Sequence, residues 1–177
     1  MDIRCVVTGQ DLSGKSVFVR DSAVQPISLG LLPGYEFHRL WGSESVVQLP
    51  SDGTAPASLS YFPPRNGFRF GFVTIPPDTT ARVDRPDITP VLEEIRLKLP
   101  GMLEVLERDH PGMHMTDTVD FDVVVAGEVY LELDEGAEVR LQAGDAVIQN
   151  GTRHAWHNRS AQNCVIAVTL VGAERKR

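Results

Sequence analysis

The sequence has few cysteines, no long apolar run and no excess of basic charge, and each shortage closes off a class of protein. Two cysteines, Cys5 and Cys164, supply neither a disulfide framework nor a zinc cluster. Thiols at that density point to a reducing compartment, most simply the cytoplasm. Apolar runs such as CVIAVTLV at 164–171 fall well short of the roughly 20 residues that span a bilayer, so no membrane partner is expected. The N-terminal MDIRCVVTGQDLSGKS lacks the basic start, apolar stretch and small-residue cleavage site of a secretory signal. Lys and Arg number 17 against 24 Asp and Glu, a formal charge of -7, which argues against nucleic acid as a partner. A nucleophile elbow, a P-loop and a dinucleotide fingerprint are also missing, and GSES at 42–45 lacks the strand-turn-helix context of a catalytic serine. Cys164 sits in an apolar run and is expected to be inert.

What is there is a β pattern punctuated by turns. The 177 residues, 42% apolar and 23% charged, suffice for one domain over 1–177 with a full core. Residues 1–87 carry short β-type runs, RCVVT, SVFVR and FRFGFVTI, between Gly, Pro, Ser and Asp. The segment 43–66 reads as a long flexible loop. From 88 the period becomes helical: Thr89 can cap, Pro90 fits the first turn, and Val91, Leu92, Ile95 and Leu99 recur three and four apart. Pro100-Gly101 ends that helix, and MLEVLERDH reads as a second short one, so a helical insertion covers 88–111, its helices at about 89–109. The pair reads as a cover packed on a sheet. Beyond Gly112 six short strands follow closely, VDFDVVV, EVYLELD, AEVRLQA, DAVIQ, HAWHN and CVIAVTLV, as expected of an antiparallel sandwich or small barrel.

Two segments there carry possible chemistry. If HMTDTVD is extended, His114, Thr116, Thr118 and Asp120 share one face, with Asp117, Val119 and Phe121 on the other. In QNGTRHAWHN, an Asn-Gly turn starts a strand on which His154, Trp156 and Asn158 share a face, opposite Arg153 and His157. Two imidazoles and a carboxylate from neighbouring strands can converge on a divalent ion and leave coordination positions open. By spacing alone, histidines bonded within the structure are the default.

The two segments resemble the two motifs of the cupin superfamily. HMTDTVDFDVVVAG follows the register of G-x5-H-x-H-x3,4-E-x6-G from His114 to Gly127, and GDAVIQNGTRHAWHN resembles G-x5-P-x-G-x2-H-x3-N from Gly144 to Asn158, one residue short before the turn. Thr116 stands where the first motif has its second histidine, Asp120 where it has glutamate, and Arg108 where it opens with glycine. The resemblance, carried mainly by 112–172, is to single-domain microbial cupins. It implies an all-β double-stranded β-helix, a jelly-roll barrel, with N-terminal strands and the helical insertion, and by family habit a homodimer. It implies a small-molecule enzyme with a divalent metal (Fe, Zn, Mn or Ni) on His114, Asp120 and His154. A metal-free binding module using Thr116, Asp120 and His154 is the alternative. Trp156, Val123, Val125 and Ile148 are expected to wall the cavity against a partly apolar organic substrate. Asp117, Asp122 and Glu128 read as a solvated rim, while His110, His157 and Arg153 read as outward-facing. His38 lines the cavity only if the N-terminal strands fold over it.

Overall fold

The structure, a computed structural model, describes residues 1–30, 32–55, 57, 60–80 and 89–176. Strands β1 (Ile3–Gln10) and β2 (Ser16–Val24) form an antiparallel hairpin. Its turn is held by the Asp11 carboxylate, which accepts from the backbone N–H groups of Ser13 and Lys15 at 2.9 and 3.0 Å. The strands β3 (Ile27–Leu29), β4 (Leu32–Ser43) and β5 (Phe68–Ile75) follow. Then come helix α1 (Thr89–Lys98) and strands β6 (Thr118–Ala126), β7 (Glu128–Glu132), β8 (Glu138–Gln142), β9 (Ala146–Gln149), β10 (Ala155–His157) and β11 (Cys164–Gly172).

Beyond the hairpin the strands make two antiparallel sheets, one of six strands in the order β3-β4-β5-β11-β6-β9 and one of three, β10-β7-β8. Between them lie Ile75, Val124, Cys164 and Ile166 from the larger sheet against Val129, Leu131 and Leu141 from the smaller. This is the jelly-roll architecture the motifs imply: two inner faces of alternating apolar residues close one core.

The period change at 89 does mark a helix. Val91, Ile95 and Leu99, four residues apart, bury one stripe against Leu29 and Phe37 of β3 and β4. Gly101, at φ 93°, takes the left-handed conformation that stops it. The second helix expected over 102–110 does not form. The Glu107 N–H goes to the Met113 carbonyl at 2.9 Å, and Leu106 bridges to His114, so this backbone is engaged across a loop rather than up a helix. The junction expected at 87–88 lies outside the described residues. Apart from Ser43, which ends β4, the segment 43–66 is loop where described, and it is tied down: Gln10 donates to the Ser51 carbonyl at 2.8 Å, and Arg39 and Arg69 both donate to the Ser60 carbonyl at 2.7 and 3.0 Å.

Candidate functional site

Along β6 the side chains alternate as the pleat requires. Thr118, Asp120, Asp122 and Val124 are buried, while Phe121, Val123 and Val125 are exposed. Of the residues expected to wall the cavity, Val123, Val125 and Ile148 therefore stand on the outer face, at 42%, 39% and 54% exposure. The physical reason is parity: Asp120 and Val123 are an odd number of positions apart and cannot share a face. Ile148 is the cross-strand partner of Phe121 and goes out with it. Asp122, read as rim, is buried for the same reason.

The two motifs meet at His114 and His154. Each N–H donates to the other's carbonyl at 2.9 Å, an antiparallel bridge outside the named strands. The imidazole centroids lie 4.2 Å apart, and the Trp156 ring packs T-shaped against His154 with centroids 5.9 Å apart. Each ring nitrogen Nδ1 is 2.9 Å from a carbonyl two residues back, Gly112 for His114 and Thr152 for His154. A carbonyl only accepts, so both Nδ1 atoms carry the proton and both Nε2 atoms keep a lone pair. Burial lowers both imidazole pKa values; that of His154 is pushed down to about 4 by burial and then by His114. The turn leading into His154 is shaped by Gly151 at φ 59°, where a β-carbon would lie 3.0 Å from the Thr116 carbonyl.

Below the histidines the inner face is polar. Thr116 and Thr118 share a hydroxyl hydrogen bond of 2.7 Å. Asp120 and Asp122 are 5% and 6% exposed, and one carboxyl oxygen of each lacks a hydrogen-bond partner. Burial pushes the Asp120 carboxyl up to about 6 against the opposing Thr118 hydroxyl, and burial plus the Asp120 charge pushes Asp122 up to about 7. Gln149, directly across from Asp120, accepts from the Thr152 hydroxyl at 2.7 Å, yet its buried amide nitrogen Nε2 has no partner.

The two Nε2 lone pairs suit a divalent ion. Among the described residues, however, three potential ligand atoms gather within 4.8 Å of one another at Glu132, Glu138 and His157, and not at His114, Asp120 and His154. The group at Glu132 is an ion-pair network: His157 Nε2 lies 2.6 Å from Glu132, and Arg159 binds Glu138. The ligand atoms of His114, Asp120 and His154 do not all lie within that distance of one another in the metal-free chain.

The remaining candidates fall as follows. His110 is exposed. Arg153 is clamped by both Glu107 oxygens at 2.6 and 2.7 Å and by Asp134 at 2.9 Å, which pins the loop before His114 to the smaller sheet. Asn158, fully buried, donates to the Ile75 and Gln162 carbonyls and so closes the end of β10. His38 is 3% exposed and does line a cavity, of about 190 Å³, whose other walls include Phe37, Arg39, Tyr61, Val168 and Leu170. Neither His114 nor His154 lines that cavity. Sequence reasoning missed Arg39 and Tyr61; nothing in their local spacing distinguishes them, and the loop that brings Tyr61 inward is fixed only by tertiary bonds.

No family model matches the chain. In sequence it is 45% identical over 81 residues to phomopsin biosynthesis cluster protein C' of Diaporthe leptostromiformis, covering 42% of this chain and 43% of that protein. It is 34% identical over 113 residues to oryzines biosynthesis cluster protein J of Aspergillus oryzae, covering 61% and 52%. A cupin-domain-containing oxidoreductase of Hypocrea virens, virC, shares 37% identity over 46 residues, covering 26% of this chain and 24% of that one. The matched part thus spans about half or less of each relative. Among solved structures, a Cupin 2 conserved barrel domain protein of Salinispora arenicola overlaps at TM-score 0.45 with 15% identity, covering 87% of this chain and 92% of that one. The two segments that resemble the cupin motifs are bridged at His114 and His154 within an antiparallel jelly roll.

Proposed function

We propose that this chain is a small-molecule cupin enzyme that holds a divalent ion on His114 and His154, with Asp120 as the carboxylate that completes the set, and acts on a partly apolar organic substrate. The observation that carries this reading is the matched tautomer of the two imidazoles. Both Nδ1 protons are given to carbonyls and both Nε2 lone pairs are left for a ligand, which is how metal-binding histidines are oriented. A bound ion would polarise a substrate oxygen or, if ferrous, activate oxygen. The chain's own part is to keep both rings neutral by burial; the apolar residues Phe37, Val168 and Leu170 wall a separate cavity that neither ring lines. Trp156 packs T-shaped against the His154 ring, and Thr116, hydrogen-bonded to Thr118, is the polar group proposed to meet the substrate.

Untagged protein titrated with Fe(II), Zn(II), Mn(II) or Ni(II) should take up about one ion per chain, and the His154→Ala variant none. Absence of uptake for all four ions would sink the metal reading. The metal-free binder is then favoured, and one observation already speaks for it: Thr116 sits where the first of the resembled motifs has its second histidine.

A homodimer belongs to the same proposal. Phe121, Val123, Ile148 and Val171 form an exposed uncharged strip on β6, β9 and β11 of a chain whose formal charge is -7. A second copy, equally acidic, is best received on a face that carries no carboxylates.

A further inference from the structure

The cavity of about 190 Å³ is basic on its polar side. Arg20 of β2, Arg39 of β4 and Arg69 of β5 all line it, and among the described residues no carboxylate does. In a chain of formal charge -7 such a grouping selects the sign of an occupant. Two of the guanidiniums are drawn together, since Arg39 and Arg69 donate to the same carbonyl, Ser60, at 2.7 and 3.0 Å. Glu44 pairs with Arg69, and burial and then the Arg69 charge lower the pKa of Arg39. Of the charges that reach Tyr61 in the cavity wall, Arg39 comes ahead of Asp122 and Asp120.

Arg20 is held only by neutral groups. Its Nη2 donates to the Cys5 sulfur at 3.2 Å and to the Leu40 carbonyl at 3.4 Å, and its guanidinium lies 6.0 Å from the centre of the Trp41 ring. Its Nε is buried without a hydrogen-bond partner, and among the described residues it has no ion pair. His38, 3% exposed and in the same wall, also leaves its Nδ1 without a partner. Folds satisfy buried donors, so two open nitrogens beside a cationic cavity mark a place where something else supplies the acceptor. The rest of the wall is apolar, with the rings of Phe37, Trp41, Tyr61 and Phe72 and the aliphatic Val168 and Leu170. The volume is below the roughly 300–1,000 Å³ of drug-sized sites, so the occupant is small.

We infer that this cavity binds a small organic carboxylate with a flat apolar body, its carboxylate on Arg20 in the positive field of Arg39, and its body against the rings and aliphatic side chains of the wall. A carboxylate supplies the missing acceptor and the missing opposite charge together, and its plane matches the guanidinium fork. A strongly hydrated inorganic anion meets the charge but gains nothing from the apolar wall. The site stands apart from His114 and His154, neither of which lines the cavity, and needs no metal there.

Benzoate has the charge and the flat body; benzamide keeps the body without the charge, and inorganic phosphate keeps the charge without the body. In amide-detected NMR titrations of the full chain, dialysed against a chelator, benzoate should shift the backbone signals of residues 39–42 and 168–170 and bind about tenfold tighter than either. Arg20→Gln should bring benzoate down to the level of benzamide, and Arg20→Lys, which keeps the charge but not the fork, should keep part of the preference. Equal binding of benzoate and benzamide, phosphate binding as tightly as benzoate, shifts centred on His114 and His154, or a preference that survives intact in Arg20→Gln would each overturn the inference. His154→Ala should lose metal and retain benzoate binding, so failure of the metal reading and failure of this one give different results.

Discussion

His114 and His154 exchange both backbone hydrogen bonds at 2.9 Å and set their imidazole centroids 4.2 Å apart at a 50° tilt, so one two-residue bridge joins the two motif segments. The bridge is maintained by main chain, not by the rings. Replacing either ring by alanine should therefore remove metal uptake with only the loss expected of a truncated buried side chain, about 2 kcal/mol. Chemical denaturation alongside metal titration checks this; a His154→Ala chain that no longer folds would show that the ring, not the bridge, holds the motifs together.

Asp122 makes stability depend on pH in an unusual direction. Unfolded, the carboxyl loses its proton near its ordinary 3.8; folded, it keeps the proton to about 7. Between those values the unfolded chain binds fewer protons, so folded stability falls as pH rises and stays reduced above about 7. Asp122→Asn has no proton to lose at this position. Its melting temperature should exceed that of the parent by more at about pH 8 than at about pH 5. A constant difference across that range would mean the buried carboxyl is not the cause.

The clamp of Arg153 on Glu107 offers a third measurement. It ties the loop preceding His114 to the smaller sheet through two short hydrogen bonds, on side chains 25% and 33% exposed. Exposure limits its contribution to about 1 kcal/mol, but its loss falls on one place. Arg153→Met should raise amide exchange at Glu107 and His114 while leaving β5 and β11 protected. Uniform exchange changes across the sheets would contradict a local role.

Much of this was legible in the sequence because strands write their faces with period two. The alternation from His114 to Asp120 holds in the structure, FRFGFVTI coincides with β5, and the spacing Val91-Ile95-Leu99 gives the buried stripe of α1. What was not legible depended on distant partners. MLEVLERDH has helical spacing, but its backbone is taken by Met113 and His114. Strand β4 escaped because Gly34 and Gly42 interrupt its pattern and its register slips between Arg39 and Trp41. Asp122 looked like a rim acid because acids usually are; only the pleat, followed two residues past Asp120, brings it inside. The same parity, applied consistently, would have put Val123 and Val125 outside.

Ile148 discriminates between a cavity wall and a surface between copies. It is 54% exposed and faces its cross-strand partner Phe121, itself 47% exposed, on the outer side of the larger sheet. An aspartate there should leave the fold intact, since the position is open to solvent, and should leave metal uptake unchanged. It would also put one carboxylate from each copy into the uncharged strip, where like charges directly opposed across an apolar interface are costly. Light scattering should therefore show the parent as a dimer and Ile148→Asp as a monomer. A parent that is monomeric at all concentrations removes the dimer. A variant that remains dimeric moves the interface to another face, with the exposed Phe18 of the β1–β2 hairpin next to be tested.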